Sequence, residues 1–266
     1  MKILVSGKGG VGKTTIAAAL SLTLSSNGYR VLVVDADSVP NIGQSLGLAK
    51  HEEIIPISKN ESLIEERTGA RPGEGWGIFF SLTPQVDDLV DKYAVKINDK
   101  LRLLVLGSID ASKEGCLCPA IALGKALLLR LFTRKDEIIV VDSEAGAEVF
   151  GRGLAERFDL NLTVAEPTVK SLKIAKKLVD LAKELNVVNN IVVLNKVVKV
   201  REAIHVFNEV FKEGEVPYFI VRYDPNIPTL EVKGLGLDSI PKNSIIYEDV
   251  SALSKKIIKY KNYGKQ

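Results

Sequence analysis

The sequence predicts an α/β fold built on one doubly wound, mainly parallel sheet. Seven runs rich in Val, Ile and Leu are spaced along the chain, and several end in a polar residue. Continuous apolar runs are typical of parallel strands that are buried on both faces. Segments with apolar residues near the 3.6-residue helical period lie between several of them. Strands that alternate with helices form a parallel sheet covered on both sides, which binds ligands at the carboxyl ends of its strands.

The elements follow in order along the chain. A first helix is predicted to begin near Lys13, with an apolar run at residues 16–24, and to end by Gly28. A second has Pro119 in its first turn and continues over residues 120–132, and the clearest helical period covers residues 168–185. Residues 67–77 are glycine-rich and predict a surface loop, with a lid or docking role as the alternative. The predicted strands are residues 3–5, 30–35, 101–106, 137–142, 159–165, 190–195 and 216–221.

Composition narrows the classes of function. A chain of 266 residues with 46% hydrophobic residues can bury a sizeable core, so we expect one domain over residues 1–266. A net charge of +3 gives no argument for nucleic acid or a membrane surface. The first strand begins directly after Met1, and no apolar run approaches the ~18 residues of a spanning helix. We therefore expect a cytoplasmic protein with reduced thiols and no stable membrane association.

A phosphate-binding loop follows the first predicted strand. Residues 7–15 read G-K-G-G-V-G-K-T-T and satisfy the pattern G-x-x-x-x-G-K-[ST]. The glycines let successive backbone N–H groups converge on a β-phosphate, Lys13 faces the β- and γ-phosphates, and Thr14 offers its hydroxyl to Mg²⁺. The predicted nucleotide-binding residues of this loop are Gly9, Gly10, Val11, Gly12, Lys13, Thr14 and Thr15.

Charged residues surround this loop in the predicted fold. Lys8 adds a cation beside Lys13, which is repulsive unless a strongly anionic ligand lies between them; a solvated lysine on a turn is the alternative. Asp35 and Asp37 end the second strand, and Asp142 ends the fourth. These carboxylates are expected near the Mg²⁺–phosphate cluster, although strand-end acids are also common as caps and turn residues.

Cys116 and Cys118 form a second chemical feature. Cysteines spaced i, i+2 can direct two thiolates at one soft metal ion, but a tetrahedral site needs four ligands. A twofold dimer supplies the missing pair, because the same surface meets itself across the axis. Two small buried hydrophobic residues at the start of a helix are the alternative.

The loop K-G-G-x-G-K-[ST]-T resembles the deviant Walker A motif of the MinD/ParA/nitrogenase-iron-protein superfamily of dimerising P-loop ATPases. The resemblance implies that Lys8 reaches the partner's nucleotide, that Asp37 lies in the switch I loop and orients the attacking water, and that Asp142 organises the Mg²⁺ shell together with Asp35. Residues 142–148 match switch II. There the amide of Gly146 would bind the γ-phosphate. The base would be read by Asn195, with Lys196 beside it and Asp224 on its other side.

Within this superfamily the chain resembles the CooC-type ATPases, which mature nickel in carbon monoxide dehydrogenase. The resemblance rests on Cys116-x-Cys118, residues 41–48, switch II with Gly151-Arg152-Gly153 behind it, and Glu166-Pro167 with Ser171. Ala147 and Val149 stand where that family has isoleucine and histidine. The resemblance implies a homodimeric, Mg²⁺-dependent ATPase that holds Ni²⁺ or Zn²⁺ between its subunits through Cys116 and Cys118 and serves a client nickel enzyme.

Two other functions compete with this interpretation. A MinD- or ParA-like positioning ATPase would bind membrane or DNA through a basic amphipathic C-terminal helix, for which residues 250–258 and the lysines that follow are candidates. The same segment fits a final helix packed on the core. A metal store or scaffold without catalysis is the third class.

Overall fold

The fold is described from a computed structural model, which describes residues 1–72, 79–107, 118–131, 136–144 and 158–263. One sheet of eight strands runs through it. The strands are β1 (Lys2–Gly7), β2 (Arg30–Ala36), β3 (Val95–Lys96), β4 (Leu101–Val105), β5 (Glu137–Ser143), β6 (Leu160–Ala165), β7 (Asn189–Val197) and β8 (Tyr218–Arg222). Their order across the sheet is β3-β4-β2-β5-β1-β6-β7-β8, and only β3 pairs antiparallel to its neighbour.

Helices cover both faces of this sheet. Short 3₁₀ turns connect some of them; in the described ranges these are His51–Glu53, Ile57–Lys59 and Leu237–Ser239. The α-helices of the described residues are α1 (Lys13–Ser26), α2 (Ile42–Ser45), α3 (Glu61–Thr68), α4 (Leu89–Tyr93), α5 (Cys118–Arg130), α6 (Val169–Glu184), α7 (Val200–Val210), α8 (Asn226–Lys233) and α9 (Ile245–Tyr263).

Alternation of side chains along the strands creates two core layers. Ile3 and Val5 of β1 face one layer, where they pack with helices α1 and α9, whereas Leu4 faces the other, with helices α3 and α5. A third cluster covers β6 and β7 with apolar residues of α6 and α7. All six residues of β1 are buried, so the central strand holds the loop that follows it on a rigid base.

The C-terminal helix packs on the core. Val250, Leu253 and Ile257 of α9 are fully buried in the layer that contains α1. The apolar face of residues 250–258 is therefore occupied within the chain. No helix among the described residues is long and apolar enough to cross a membrane.

The predicted fold class and its seven strands are confirmed. Helix α6 (Val169–Glu184) has Thr168 as its N-cap and lies within one residue of the predicted bounds, and α1 begins at Lys13, as predicted. No sequence pattern predicted β3, which has only two residues. The predicted loop at 67–77 begins as the end of α3, which Gly69 caps; residues 73–78 lie outside the described part of the chain.

Candidate functional site

Most of the predicted nucleotide-site residues that the structure describes meet at one edge of the sheet. β1, β2, β5 and β7 run parallel, so their carboxyl ends bring together the loop after Gly7, Asp35, Asp142 and Asn195. A cleft of about 550 Å³ opens beside them, lined by residues of the phosphate loop, by Asn195, and by the segment that follows β8. This is the position at which parallel α/β sheets bind nucleotides.

The backbone of the loop needs its glycines. Gly10 has φ 81° and Gly12, the N-cap of α1, has φ 92°, which is the left-handed region that side chains disfavour. A Cβ on Gly12 would lie 2.4 Å from the side-chain nitrogen of Asn195. Glycine at position 12 therefore lets the loop, the helix start and the end of β7 meet closely.

Lys13 is a buried cation at the start of α1. Its side chain is 7% exposed, and its Nζ lies 3.4 Å from the carbonyl oxygen of Lys8. Burial lowers the pKa of Lys13, while the charges of Asp142, Asp37 and Glu144 act in the opposite direction. A buried ammonium with carboxylates on one side is an arrangement that can attract a phosphate with its metal ion.

Asp142, at the end of β5, fits a magnesium ligand. It is 1% exposed, and neither of its carboxylate oxygens has a hydrogen-bond partner among the described residues. Burial raises its pKa to about 7; Asp35 and Asp37 add to this, whereas the Thr14 side chain and Lys13 lower it. Unpaired buried carboxylate oxygens beside a threonine hydroxyl are the hard oxygen donors that Mg²⁺ prefers.

Asp35 has a different environment although it also ends a strand. Its Oδ2 accepts hydrogen bonds from the backbone N–H groups of Asn41 (3.0 Å) and Ile42 (3.1 Å), and its Oδ1 accepts from Asp37 N–H (3.2 Å). Burial raises its pKa to about 6 and these three hydrogen bonds oppose the shift. Asp35 therefore fixes the loop between β2 and α2, and its role as a magnesium ligand stays a prediction.

Asp37 lies half-buried on that loop. Its Oδ1 accepts from Val39 N–H at 3.0 Å. The Ser38 hydroxyl lies 3.4 Å from the same oxygen and donates its single hydrogen to Glu144 Oε1 at 2.8 Å. The Ser38–Glu144 hydrogen bond joins the loops after β2 and β5, so both predicted switch segments touch beside Lys13. Sequence reasoning missed Glu144, although an acid two residues after Asp142 was a visible signal.

Asn195 and Lys196 contact the phosphate loop directly. Asn195 Nδ2 donates to the carbonyl oxygen of Val11 at 2.9 Å. Lys196 Nζ donates to the carbonyl oxygen of Gly10 at 2.7 Å and to Glu166 Oε1 at 2.8 Å. Both residues thus lie in the predicted site, and adenine recognition by Asn195 stays a prediction.

Asp224 supports the far wall of the cleft. It is 3% exposed and accepts hydrogen bonds from Ile246 N–H (3.0 Å) and from both nitrogens of Asn226 (2.9 and 2.8 Å). Burial opposes its ionisation, but these bonds outweigh it and lower its pKa. The carboxylate thereby fixes the starts of α8 and α9, and its contact with a base stays a prediction. Arg222, held by Asp249, also lines this wall and was not predicted.

Other predicted residues are placed less completely. Lys8 is exposed at the mouth of the loop, as a residue that reaches a second subunit must be. Cys118 is the first residue of α5, but its side chain, Cys116 and Gly146 lie outside the part of the chain that the structure describes. Within the described part, no group of three or more His, Cys, Asp or Glu side chains could hold a metal ion.

A glycine-rich loop after the central strand, a buried lysine and strand-end carboxylates define a P-loop nucleoside triphosphatase. The chain belongs to the CobQ/CobB/MinD/ParA nucleotide-binding domain family, which it matches over residues 2–237, and it is an ATPase of this family.

Curated relatives and solved structures agree with this assignment. An ATP-binding protein of Methanocaldococcus jannaschii is 47% identical over 187 residues, 70% of this chain and 71% of that protein. The carbon monoxide dehydrogenase accessory protein CooC of Rhodospirillum rubrum is 41% identical over 189 residues, 70% of this chain and 71% of that protein. The Pyrococcus furiosus cell division ATPase MinD superposes with a TM-score of 0.67 at 19% identity, covering 97% of this chain and 98% of that one. The MinD likeness supports the fold alone.

Proposed function

We propose that this ATPase is a dimeric metallochaperone that couples ATP hydrolysis to nickel delivery, serving a carbon monoxide dehydrogenase-type enzyme. The 41% identity to CooC over 70% of the chain carries the proposal. The pair Cys116 and Cys118 adds the ligand chemistry that such a function needs, because thiolates bind soft and borderline metal ions.

The hydrolytic half of the proposal uses residues of the described site. Asp142 and Thr14 would hold Mg²⁺, which neutralises phosphate charge when it is bound. Lys13 lies where it can stabilise the charge that develops between the β- and γ-phosphates, and Asp37 orients a water molecule. The water oxygen bonds to the γ-phosphorus while the bond to the ADP oxygen breaks, which yields ADP, phosphate and a proton.

The metal half requires two subunits. Cys116 and Cys118 supply two thiolates per chain, and a twofold dimer supplies four for one transported ion. Nickel(II) favours a square-planar arrangement and zinc a tetrahedral one, so the dimer geometry selects between them. The exposed position of Lys8 is consistent with its reaching the partner's nucleotide in the same dimer.

Asp35 bonds both to the loop of Asp37 and to the two residues that follow β4. The carbonyl oxygen of Asp35 accepts hydrogen bonds from the N–H groups of Leu106 (2.8 Å) and Gly107 (3.1 Å). The Asp35 carboxylate holds the loop that contains Asp37. The chain that continues from Gly107 toward Cys116 therefore begins at a hydrogen bond to Asp35, the residue that also holds the predicted switch I loop. This arrangement supports coupling between the nucleotide state and the cysteines.

Anaerobic metal analysis tests the metal half. Wild type incubated with Ni²⁺ or Zn²⁺ should retain about one ion per dimer, and Cys116→Ser and Cys118→Ser should each lose it. Both variants should still bind ADP, because neither cysteine belongs to the nucleotide site. Equal metal content in wild type and both variants would refute the cysteine site.

Light scattering with and without Mg²⁺ and a non-hydrolysable ATP analogue tests the dimer. In a separate ATPase assay, Lys8→Ala is expected to bind nucleotide but not to hydrolyse ATP.

The competing positioning-ATPase function makes a different prediction. It needs an apolar helix face that membrane can reach, yet Val250, Leu253 and Ile257 of α9 are buried against the core. Sedimentation with anionic liposomes, with and without ATP, separates the two functions. Nucleotide-dependent binding to liposomes would favour the positioning ATPase over the metallochaperone.

A further inference from the structure

Side chains hold the outward-facing carbonyl groups of the phosphate loop. Lys196 Nζ donates to the Gly10 carbonyl at 2.7 Å, and Asn195 Nδ2 donates to the Val11 carbonyl at 2.9 Å. A trans peptide group is planar, so its C=O and N–H point in opposite directions. Holding the Gly10 carbonyl therefore fixes the Val11 N–H on the opposite side, which in a phosphate-binding loop is the side of the phosphates.

The end of β7 is distorted in a way that permits both contacts. Successive side chains of a regular strand point to opposite faces, so Asn195 and Lys196 could not both reach one loop. Lys196 has φ 58°, a left-handed conformation that a residue with a Cβ seldom adopts. The pairing of β7 with β8 also shifts register between Leu194 and Val197. Irregularities of this kind redirect side chains beside functional sites.

Glu166, which follows β6, holds the other side of the Lys196 ammonium. Its Oε1 lies 2.8 Å from Lys196 Nζ, and its own backbone N–H donates to Ser171 Oγ at 3.0 Å. The two side chains are 44% and 36% exposed. Because a partly solvated ion pair contributes little to folding stability, the pair is better explained by what it positions.

We infer that Lys196 and Glu166 are a positioning pair for phosphate binding. Lys196 holds the Gly10–Val11 peptide group with its N–H toward the phosphates, and Glu166 holds Lys196. The pair acts on ADP and ATP alike, because both place a β-phosphate in the loop. The inference concerns nucleotide affinity and is independent of the proposed metal function.

Lys196→Gly separates positioning from a structural role. Glycine relieves the left-handed backbone at position 196, so the melting temperature of the nucleotide-free protein should stay within about 3 °C of wild type. The Kd for Mg²⁺-ADP, measured by isothermal titration calorimetry, should rise ~10-fold because the charged hydrogen bond to the loop is lost. Lys196→Arg, which keeps a donor, should recover most of the affinity. The matched control is Lys199→Met, which removes an exposed lysine paired with Glu202 at 2.7 Å. It should leave the Kd unchanged.

Glu166→Gln distinguishes positioning from direct attraction between Lys196 and the phosphates. If Glu166 anchors Lys196, the Kd for Mg²⁺-ADP should rise ~3-fold in Glu166→Gln and should not change further when Lys196→Gly is already present. If Lys196 acts only as a charge, removing the nearby carboxylate should tighten ADP binding in both backgrounds. Tighter or unchanged binding in Glu166→Gln, or unchanged binding in Lys196→Gly, would overturn the inference.

Discussion

We propose that the Asp142 carboxylate binds Mg²⁺ and that its burial lowers folding stability when no cation is bound; Asp142→Asn tests this. The carboxylate is 1% exposed and has no hydrogen-bond partner among the described residues. Asparagine has the same shape without the charge. We therefore expect Asp142→Asn to make the nucleotide-free protein more stable while weakening Mg²⁺-dependent nucleotide binding and hydrolysis.

The raised pKa of Asp142 determines how large the stability difference between Asp142→Asn and wild type should be, and how it should depend on pH. A group whose folded pKa exceeds its unfolded value destabilises the fold progressively as pH rises between the two values. Burial raises the pKa of Asp142 from 3.8 to about 7, so the penalty is small at pH 4, grows to about pH 7 and then stays constant. The difference corresponds to an upper limit of about 4 kcal/mol, or ~8–16 °C in melting temperature for a chain of this size.

Thermal melts from pH 4 to pH 8, without Mg²⁺ or nucleotide, provide the assay. The melting temperature of Asp142→Asn should exceed that of wild type at pH 8, and the gap should nearly close at pH 4. Added Mg²⁺-ADP should stabilise wild type and leave the variant nearly unchanged. Asp91→Asn, at a side chain that is 81% exposed, is the control and should differ little from wild type. A variant less stable than wild type at pH 8, or a gap that does not depend on pH, would refute the reasoning.

Three further substitutions follow from the site geometry. Gly12→Ala should abolish measurable ADP binding, because the new Cβ would lie 2.4 Å from Asn195 Nδ2 at φ 92°; calorimetry that detects wild-type affinity would contradict this. Asp35→Ala should lower the urea-derived free energy of unfolding by ~3 kcal/mol or more, since three backbone N–H groups lose their acceptor; a loss below ~1 kcal/mol would show that the loop finds other partners. Asp224→Ala should lower the free energy of unfolding, measured in urea, by ~2 kcal/mol above about pH 4 and by progressively less below it, because the folded pKa of Asp224 is lowered. A loss that does not depend on pH would show that the ionised carboxylate is not what stabilises the starts of the two helices.

Local patterns were sufficient for the sheet and for the phosphate loop. Strands such as β5 (Glu137–Ser143) are continuous apolar runs, and the loop after β1 (Lys2–Gly7) has fixed spacing, so both are visible along the chain. The edge strand β3 (Val95–Lys96) was not predicted because two residues carry no periodicity. Its pairing depends on the neighbouring strand β4.

The environments of strand-end residues could not be predicted in the same way. Asp35 and Asp142 both follow apolar strands, yet one accepts three backbone hydrogen bonds and the other has no partner among the described residues. The difference depends on how the chain turns afterwards, which strand periodicity does not encode. The left-handed Lys196 is similar, since φ > 0 at a lysine is set by tertiary contacts rather than by residue type.

Asp35 and Asp142 together explain how one edge of the sheet can be rigid and still offer an unpaired carboxylate to a ligand. Asp35 stabilises the edge, because its hydrogen bonds hold the Asp37 loop on one side and Leu106 and Gly107 on the other. Asp142 has no such partner among the described residues, so a cation could bind it without first breaking a hydrogen bond to any of them. If Asp35 lost its hydrogen bonds and Asp142 gained them, both the folding stability and the affinity for a cation would fall. The Ser38–Glu144 hydrogen bond joins the segments that follow these two carboxylates, so the loop of Asp37 and the chain after Asp142 are connected beside the rigid backbone that Asp35 holds.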